Sequence, residues 1–431
     1  MTSGPCWAEI SLSQLKENLG IVRRHVALRV PASTLAQHGE RKTNRQGDPE
    51  RVPRLSLGTV SESRTMSESR SAERIGAERK VLAVVKADAY GHGAVPVARA
   101  LEQAGVDFLG VAAVSEGVEL RQAGIRTPII VLTGFFPGEE RELLEYDITP
   151  GVTTPAQLER LEKAAQAAGR RVRCHVKVDT GMGRLGIACA EASQVAQRLA
   201  SSRNLELEGL YTHFAASEDF TTRQTEEQLA RFEQARADFA AAGLKPPLIH
   251  LANTGAIVAR PETWGTMVRP GSMLYGFISF FKFPEGQDRS EEFAAQVPVR
   301  PVLTLKARVY MVRDCPPQTP LGYSARFVTD RPSRIAVLPI GYGHGWRRGL
   351  TNACRVIVRG RYAPMVGTVG MDLTLADVTD VPGAQDGDEV ILIGTNGKVT
   401  IPPTEPARAV GTVASEILTG LGKRIPRVYL D

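Results

Sequence analysis

The feature that most constrains the fold is a regular alternation of short apolar runs with amphipathic stretches between residues 81 and 275. Each apolar run has the length of a buried strand, and the stretches between them have the apolar spacing of helices that cover a sheet. The predicted strands are 81–86, 108–113, 128–132, 147–152, 172–178, 206–212, 247–251 and 267–275. The predicted helices are 92–104, 115–124, 138–145, 154–168, 190–202 and 222–242. Eight strands with intervening helices favour an α/β fold of the TIM-type (β/α)8 barrel class, although the count alone leaves a doubly wound sheet open.

The remaining sequence has a different texture. Residues 7–28 predict a short strand and a helix. Residues 31–80 are dominated by Ser, Arg, Glu, Gly and Pro, and they predict a disordered insertion, with a basic arm for a polyanion as the alternative. After residue 286, β-branched runs separated by Pro, Gly and Asp predict a mainly antiparallel β domain that ends in a helix over 404–421. We therefore expect an α/β barrel domain over 1–285 and a C-terminal β domain over 286–431.

Composition bounds the class of protein. The formal net charge of +6 is modest and gives no reason to expect nucleic-acid binding. The five cysteines are scattered singly and lack metal-ligand spacing, so they fit a reducing compartment and predict no metal site. No apolar run approaches membrane-spanning length, and the amino-terminal residues lack the pattern of a signal peptide. A cytoplasmic enzyme without a membrane partner is the expectation.

The stretch VLAVVKADAYGHG, residues 81–93, places Lys86 at the carboxyl end of a predicted buried strand. The loops at that end of a barrel converge on one rim, where catalytic residues collect. An amine partly removed from water there loses its proton more readily and becomes a nucleophile. On this stretch alone, a lysine that merely marks where the strand reaches solvent is an equally good interpretation.

Polar residues follow several other predicted strands, which is the pattern expected of a barrel with one functional rim. Lys86 and Tyr90 follow the first strand, and a DTGMGRLG loop with Arg184 follows the fifth. His213 ends the sixth strand, Asn253 and Thr254 follow the seventh, and the eighth contains Arg269, Gly271 and Ser272. Hydroxyls and backbone N–H groups at the last two strands suit a phosphate, and a phosphate beside a Schiff-base lysine suggests pyridoxal 5′-phosphate. Each signal is weak singly, since Gly-Ser after a strand is usually a turn and a lone histidine is often structural.

The sequence resembles alanine racemases, the fold type III pyridoxal-phosphate enzymes with an N-terminal barrel and a C-terminal β domain. The resemblance covers nearly the whole chain except residues 31–80, and its later motifs lie in a domain that single-barrel relatives lack. It rests on motifs in the expected order: VVKADAYGHG, KVDTGMGRLG, LYTHFA, HLANTGA, VRPGSMLYG, LGYSARF, LPIGYGHGW, VGTVGMD and GKRIPR.

The resemblance implies a role for each matching residue. Lys86 would hold the cofactor covalently, and Arg269 would face its pyridine nitrogen. Arg184 would contact the ring oxygen and the substrate carboxylate, and Lys177 matches a lysine that is sometimes carbamylated. The phosphate would be held by Tyr90, Thr254, Gly271 and Ser272, beside Asn253. Tyr323, with His213 helping to orient it, and Met371 with Asp372 would complete the site of a second subunit.

These roles imply a two-base racemisation of L-alanine and D-alanine by a homodimer with shared sites, because protons must be exchanged on opposite faces of Cα. Lys86 would act on one face and Tyr323 on the other. The family context implies supply of D-alanine for peptidoglycan. A non-enzymatic pyridoxal-phosphate carrier needs neither Tyr323 nor the β domain, and a decarboxylase would be expected to carry a catalytic cysteine in a motif that is absent here.

One departure from the family pattern bears on the substrate. Ser415, in VASEILTGLGKRIPR, stands where many members have a tyrosine that narrows the substrate pocket. A smaller polar residue there could admit a bulkier or hydroxylated side chain. Serine or broad-spectrum racemisation is therefore the alternative, and Tyr342 or Tyr275 could restore the restriction.

Overall fold

The computed structural model describes residues 4–27, 79–278 and 280–431 of the 431-residue chain, and it confirms an α/β barrel joined to a mainly antiparallel sheet. Residues 31–78 of the predicted insertion lie outside the described residues. Its last residue, Lys80, already belongs to the first barrel strand. No helix within the described ranges is long and apolar enough to cross a lipid bilayer.

The barrel is a ring of parallel strands in the order β10-β2-β3-β4-β5-β6-β8-β9, with β7 paired to β6 outside the ring. Backbone hydrogen bonds from Thr266 N to Ile249 O (2.9 Å) and from Arg269 N to Ala252 O (3.0 Å) bring the two edge strands together and close it. The strands, after β1 (Cys6–Ser11), are β2 (Lys80–Val84), β3 (Phe108–Val111), β4 (Ile129–Val131), β5 (Thr149–Val152), β6 (Val172–Asp179), β7 (Ile187–Ala188), β8 (Leu205–Tyr211), β9 (Leu248–His250) and β10 (Met267–Val268).

Each of the six predicted helical stretches contains a helix, and their capping explains several boundaries. The helix after β5 begins at Pro155, a residue favoured at the first helical position. Its N-cap, Thr154, accepts a hydrogen bond from Gln157 N (3.2 Å). The short helix after β9 was not predicted. The helices around the barrel are Leu12–Ala27, Ala94–Gln103, Val114–Gln122, Glu140–Glu145, Pro155–Ala167, Ala192–Ser201, Gln224–Ala241 and Thr254–Ala259.

The eighth predicted strand, 267–275, is wrong in length. Only Met267–Val268 pairs with β2, and Ser272–Tyr275 forms a 3-10 turn instead. Pro270 lacks the N–H that would continue the ladder, so the chain leaves the sheet there. This early exit leaves Arg269, Gly271 and Ser272 beyond the strand end, at the rim.

The interior of the barrel is divided into an apolar and a polar side. The apolar side is a cluster separate from the main core, made of Leu82, Val84, Phe108, Ile130, Leu248 and Met267. On the polar side, the rings of Tyr211 and His250 stack at 4.6 Å, and His175 lies beside them. The main core lies between the barrel strands and the surrounding helices and continues into the β domain.

The second sheet has the order β12-β15-β18-β17-β16-β19-β11-β1-β21, with β20 paired to β19 and a separate pair of β13 and β14. Strand β1 pairs antiparallel with β11 and parallel with β21, so the beginning of the chain contributes to this sheet and not to the barrel. For the residues after β1, the predicted boundary between the barrel domain and the β domain at residues 285 and 286 stays a prediction. The strands are β11 (Leu303–Arg308), β12 (Met311–Cys315), β13 (Pro320–Leu321), β14 (Phe327–Val328), β15 (Ser333–Leu338), β16 (Arg355–Val358), β17 (Arg361–Val366), β18 (Thr374–Asp377), β19 (Glu389–Asn396), β20 (Val399–Ile401) and β21 (Arg427–Leu430).

The single helix predicted over 404–421 is wrong, because two short helices, Thr404–Ala409 and Ala414–Thr419, occupy that stretch. Gly411 has a φ of +68°, and Thr412 N donates back to Ala407 O (2.9 Å). A left-handed glycine with such a backward hydrogen bond ends a helix. A further helix, Ser290–Gln296, connects the barrel to the sheet.

Candidate active site

One cavity of about 220 Å³ opens at the carboxyl ends of the barrel strands. Ten of the candidate residues line it together, which is the convergence expected of a rim site. The lining residues are Val84, Lys86, Tyr90, Leu132, Thr133, Lys177, Arg184, Tyr211, His213, Glu218, Asn253, Thr254, Arg269, Gly271, Ser272 and Ser415.

Lys86 lies at the start of an unusual backbone turn. Residues Ala87 to Tyr90 all have left-handed conformations, with φ values of 53°, 53°, 51° and 55°. For L-residues this conformation costs roughly 1–2 kcal/mol each, so surrounding contacts must hold it. Glu116 Oε1 accepts from Ala87 N (2.7 Å), and Asp88 Oδ1 accepts from Ala94 N (2.6 Å). The turn therefore fixes Lys86 and Tyr90 at the rim.

The environment of Lys86 favours a neutral amine. Burial lowers the pKa of its ammonium group, and the positive charge of Arg184 lowers it further, whereas Glu116 opposes the shift. A lysine in such surroundings is a better nucleophile at neutral pH than an exposed one. The structure thus supports the nucleophile interpretation over a lysine that only marks a strand end.

Tyr90 is held from below by aromatic packing. Its ring stacks on that of Tyr275 with centroids 4.8 Å apart, and Tyr275 Oη donates to Val84 O (2.9 Å). Burial raises the pKa of Tyr90 to about 12, so its hydroxyl stays protonated as a hydrogen-bond donor. A Cβ on Gly271 would lie 2.6 Å from this hydroxyl, and glycine at that position therefore lets the backbone approach it.

Small hydroxyl and amide groups surround the end of β10. Gly271 N donates to Thr254 Oγ1 (3.2 Å), and Ser272 follows directly. Asn253 caps the helix Thr254–Ala259 by accepting from Ala256 N (3.1 Å), and it also accepts from Ser217 Oγ (2.7 Å). Together with Tyr90 they form a set of neutral donors of the kind that binds a phosphate.

Arg269 is a buried cation, 4% exposed. Its Nη2 donates to Thr212 O (2.7 Å) and to Leu251 O (2.9 Å), and its Nη1 donates to the backbone oxygen of His250. Burial lowers the pKa of its guanidinium to about 10, which leaves it charged at neutral pH. Burial of His213, and then the positive charge of Arg269, hold the pKa of His213 well below its ordinary value, so that this imidazole is neutral.

Lys177 and the loop after β6 form the remaining wall. The carboxylate of Asp179 accepts from four successive backbone N–H groups at 2.9–3.1 Å, which shapes the loop that carries Arg184. Lys177 is 5% exposed, and burial, then Arg269 and Arg184, lower the pKa of its ammonium group to about 8. It is therefore a second amine in the same cavity that releases its proton more readily than an exposed lysine.

Three predicted site residues, Tyr323, Met371 and Asp372, lie outside the cavity. Tyr323 and Met371 belong to the β domain, where their side chains are 73% and 54% exposed. Neither lines the cavity formed by this chain. Tyr275 is buried beneath Tyr90, Tyr342 is exposed on the β domain, and neither lines the cavity of this chain.

Several lining residues were not among the predicted site residues. Leu132 and Thr133 directly follow β4, so the strand-end rule that found the others could have found them. Tyr211 lies two residues before His213, inside an apolar run that suggested only packing. Ser415 comes from the β domain and lines the cavity, so the replacement of the family's tyrosine at this position changes the cavity wall.

Comparisons with known proteins agree over both parts of the chain. The family model for the N-terminal domain of alanine racemase matches residues 69–279, and the C-terminal domain model matches residues 302–429. The alanine racemase of Geobacter sulfurreducens is 40% identical over 355 residues, covering 81% of this chain and 90% of that protein. The alanine racemase of Halothermothrix orenii is 40% identical over 357 residues, covering 83% and 92%.

Solved structures give the same result. Alanine racemase from a D-cycloserine-producing Streptomyces lavendulae superposes with a TM-score of 0.81 at 29% identity, covering 100% of this chain and 98% of that one. Alanine racemase from Bartonella henselae, solved with covalently bound pyridoxal phosphate, superposes with a TM-score of 0.76 at 27% identity, covering 99% and 100%.

Proposed function

Because this chain belongs to the alanine racemase family, we propose that it racemises L-alanine and D-alanine with pyridoxal 5′-phosphate. The observation that carries the proposal is the convergence in one cavity of a lysine with a lowered pKa, a set of hydroxyl and amide groups suited to a phosphate, and a buried arginine. In its biological setting, the product would be D-alanine for peptidoglycan, made in the cytoplasm.

The residues present fit this cofactor. Lys86 offers an amine for a covalent bond to its aldehyde, and Tyr90, Thr254 and Ser272 offer hydroxyls to its phosphate. The missing side chain at Gly271 leaves room for that phosphate beside the Tyr90 hydroxyl. When bound, the cofactor acidifies the Cα–H bond of the substrate by delocalising negative charge.

Arg269 would face the pyridine nitrogen. A guanidinium that stays protonated donates a hydrogen bond and does not release its proton readily. The ring nitrogen beside it would therefore remain largely unprotonated. We infer that this moderates charge delocalisation and limits side reactions such as transamination. Arg184, placed by the Asp179 loop, would bind the substrate carboxylate.

Racemisation requires a second proton-transfer group on the opposite face of Cα. Lys86 would exchange the proton on one face, and Tyr323 would serve the other. Tyr323 is exposed in its own chain, which is the position expected of a residue that reaches a neighbouring subunit. We therefore propose a homodimer with two shared sites, in which Met371 and Asp372 also border the partner's cavity.

Lys177 is proposed as a site of carbamylation. Its lowered pKa provides the neutral amine that combines with carbon dioxide. The carbamate would replace a buried positive charge with a negative one, and it would give Arg184 an anionic partner.

A second candidate activity is racemisation of serine or of a broader set of amino acids. The observation that favours it is the presence of Ser415 in the cavity wall, where a larger side chain would take up space. The hydroxyl of Ser415 could also accept a hydrogen bond from a hydroxylated substrate.

One experiment separates these activities. The purified protein with pyridoxal 5′-phosphate is incubated with L-alanine, L-serine or L-lysine in deuterated water, followed by chiral analysis and measurement of Cα deuterium. We expect deuterated D-alanine as the main product. A faster reaction with serine would favour the alternative. Release of carbon dioxide would indicate a decarboxylase, and absence of turnover would indicate a carrier.

A further inference from the structure

A chain of buried hydrogen bonds leads from Arg269 into the barrel, away from the cavity. Arg269 Nη1 donates to His250 Nδ1 (3.2 Å), and His250 Nε2 lies 2.8 Å from His175 Nδ1. His175 Nε2 lies 3.1 Å from Glu208 Oε2, whose other oxygen accepts from Arg173 Nη1 (3.2 Å). Both imidazoles are fully buried, and Arg173 is half exposed. This chain of hydrogen bonds thus joins the site to the opposite part of the barrel.

The direction of every hydrogen bond in this chain is determined by its two ends. A guanidinium can only donate, so Nδ1 of His250 must be the accepting nitrogen of its ring. The proton of neutral His250 is then on Nε2, which donates to Nδ1 of His175. The proton of His175 is likewise on Nε2, which donates to the carboxylate of Glu208, a group that can only accept when ionised.

The charge states agree with this direction. Burial lowers the pKa of both imidazoles, and the nearby Arg269 lowers that of His250 further, so both are neutral. Burial opposes ionisation of Glu208, but the hydrogen bond that it accepts from His175 and its contact with the positively charged Arg173 hold its pKa below the ordinary value. Glu208 therefore remains an anion at neutral pH.

The backbone is adapted to this arrangement. The pairing of β6 with β8 shifts register between Cys174 and His175, so that His175 lies opposite Gly209 and Glu208 becomes an extra residue. A Cβ on Gly209 would lie 2.2 Å from Nδ1 of His175. Such a bulge redirects a side chain, and here it presents Glu208 to the ring of His175.

We propose that Glu208 is a positioning residue for Arg269 and that it acts by fixing the tautomers of His175 and His250. With Glu208 as the final acceptor, His250 always presents a bare nitrogen to the guanidinium. Without that acceptor, the proton of His250 can move to Nδ1, which places a donor against a donor and displaces Arg269. The consequence for the cofactor rests on the proposed function, whereas the tautomers do not.

The tautomers can be read by ¹⁵N NMR of the histidine rings in the purified full-length protein, with and without added pyridoxal 5′-phosphate. Signals are assigned with His175→Gln and His250→Gln. We expect both rings in the wild-type protein to carry the proton on Nε2. A wild-type ring that is protonated on Nδ1, or charged, overturns the proposal without the need for any variant.

Two substitutions of Glu208 distinguish the effect of its accepting oxygen from the effect of its negative charge. Glu208→Gln keeps an accepting oxygen, and we expect His175 and His250 each to keep the proton on Nε2. Glu208→Leu removes the acceptor, and we expect at least one ring to populate the Nδ1–H form. The control is Glu206→Leu, which alters an exposed glutamate on the same strand, outside the chain of hydrogen bonds.

Turnover supplies a second readout. In Glu208→Leu we expect kcat for alanine to fall roughly threefold to thirtyfold with KM close to wild type, and Glu208→Gln to recover most of it. Unchanged tautomers and unchanged kcat in Glu208→Leu would overturn the proposal. If the wild-type protein does not racemise alanine, the proposed function fails, but the NMR result still decides the role of Glu208.

Discussion

Glu116 accepts a hydrogen bond from the peptide N–H of Ala87, the residue that follows Lys86 (2.7 Å). Its second oxygen accepts from Ala112 N (2.7 Å) and Ala113 N (3.2 Å), at the start of the next helix. One carboxylate therefore connects the end of β3 to the left-handed turn that carries the candidate nucleophile. It is also the nearby charge that opposes the lowering of the pKa of Lys86.

Replacing Glu116 with Ala should lower the free energy of unfolding by about 1–2 kcal/mol, because three backbone donors lose their acceptor. Urea denaturation of the full-length protein measures this change. Glu119→Ala, at an exposed position of the same helix, is the matched control and should be near wild type. Equal effects of the two substitutions would show that the turn does not depend on Glu116.

Replacing Glu116 with Gln tests its charge separately from its hydrogen bonds. The amide oxygen can still accept, but the negative charge that raises the pKa of Lys86 is lost. We expect that pKa to fall further. The pH dependence of the rate at which the protein combines with pyridoxal 5′-phosphate, followed by absorbance, should shift to lower pH. A shift to higher pH would contradict the electrostatic role.

Replacing Gly271 with Ala should displace the ring of Tyr90, since the new Cβ would lie 2.6 Å from its hydroxyl. Overpacking of this kind typically costs about 1–3 kcal/mol, and it should also weaken binding of pyridoxal 5′-phosphate. Adding Tyr90→Phe removes the closest contact and should recover part of the stability but not the binding. Gly422→Ala is the control, because its nearest neighbour would be 3.7 Å away. Loss of stability that Tyr90→Phe does not relieve would rule out this contact as its cause.

The strand ends were predictable because two simple rules act together. A buried parallel strand has a continuous apolar run, and the carboxyl ends of such strands share one rim. Lys86 and His213 follow from these rules, whatever the helices between them do, whereas Arg269 lies inside the eighth predicted strand and reaches the rim only because the observed strand ends at Val268. The length of the last strand did not follow, because Val-Arg-Pro-Gly was included in an apolar run that Pro270 interrupts.

Features that depend on distant parts of the chain could not be predicted. Strand β1 joins the second sheet through partners that lie about three hundred residues later, and no local pattern records such pairing. The residues of the turn after Lys86, two alanines among them, adopt the left-handed backbone conformation that L-residues disfavour. Contacts such as those of Glu116 hold this turn in place. The hydrogen bonds of His175 depend on a bulge in the pairing with the neighbouring strand, and the sequence around this histidine does not indicate such a bulge.

The buried amine of Lys177 predicts a pH-dependent change in stability. Its pKa is about 8 in the folded protein and near 10.5 when unfolded. Below pH 8 both states hold the proton, and the buried charge costs the folded state about 3 kcal/mol. Between these two values the folded state releases its proton first, so the penalty shrinks as pH rises. Above both values it is gone.

Lys177→Met should therefore be more stable than wild type at pH 7, and the difference should shrink toward pH 10. Urea denaturation in carbon dioxide-free buffer measures it, and Lys163→Met, at an exposed helix position, should show no such trend. A difference that stays constant with pH would contradict the shifted pKa. In ¹³C-bicarbonate, a carbamate resonance that disappears in Lys177→Met would establish the modification.

Tyr323 is exposed on the β domain of its own chain, whereas Lys86 lies in the cavity at the barrel rim. If Tyr323 serves the site of a partner subunit, Tyr323→Phe should selectively slow proton abstraction from L-alanine, which the α-deuterium isotope effect in each direction measures. Equal slowing in both directions would contradict assignment to one face. A mixture of Tyr323→Phe chains, which are slowed, and Lys86→Ala chains, which are inactive, should be more active than either variant alone, since a mixed dimer contains one site with both residues intact. Failure to regain activity, or active monomers on dilution, would show that the site is complete within one chain.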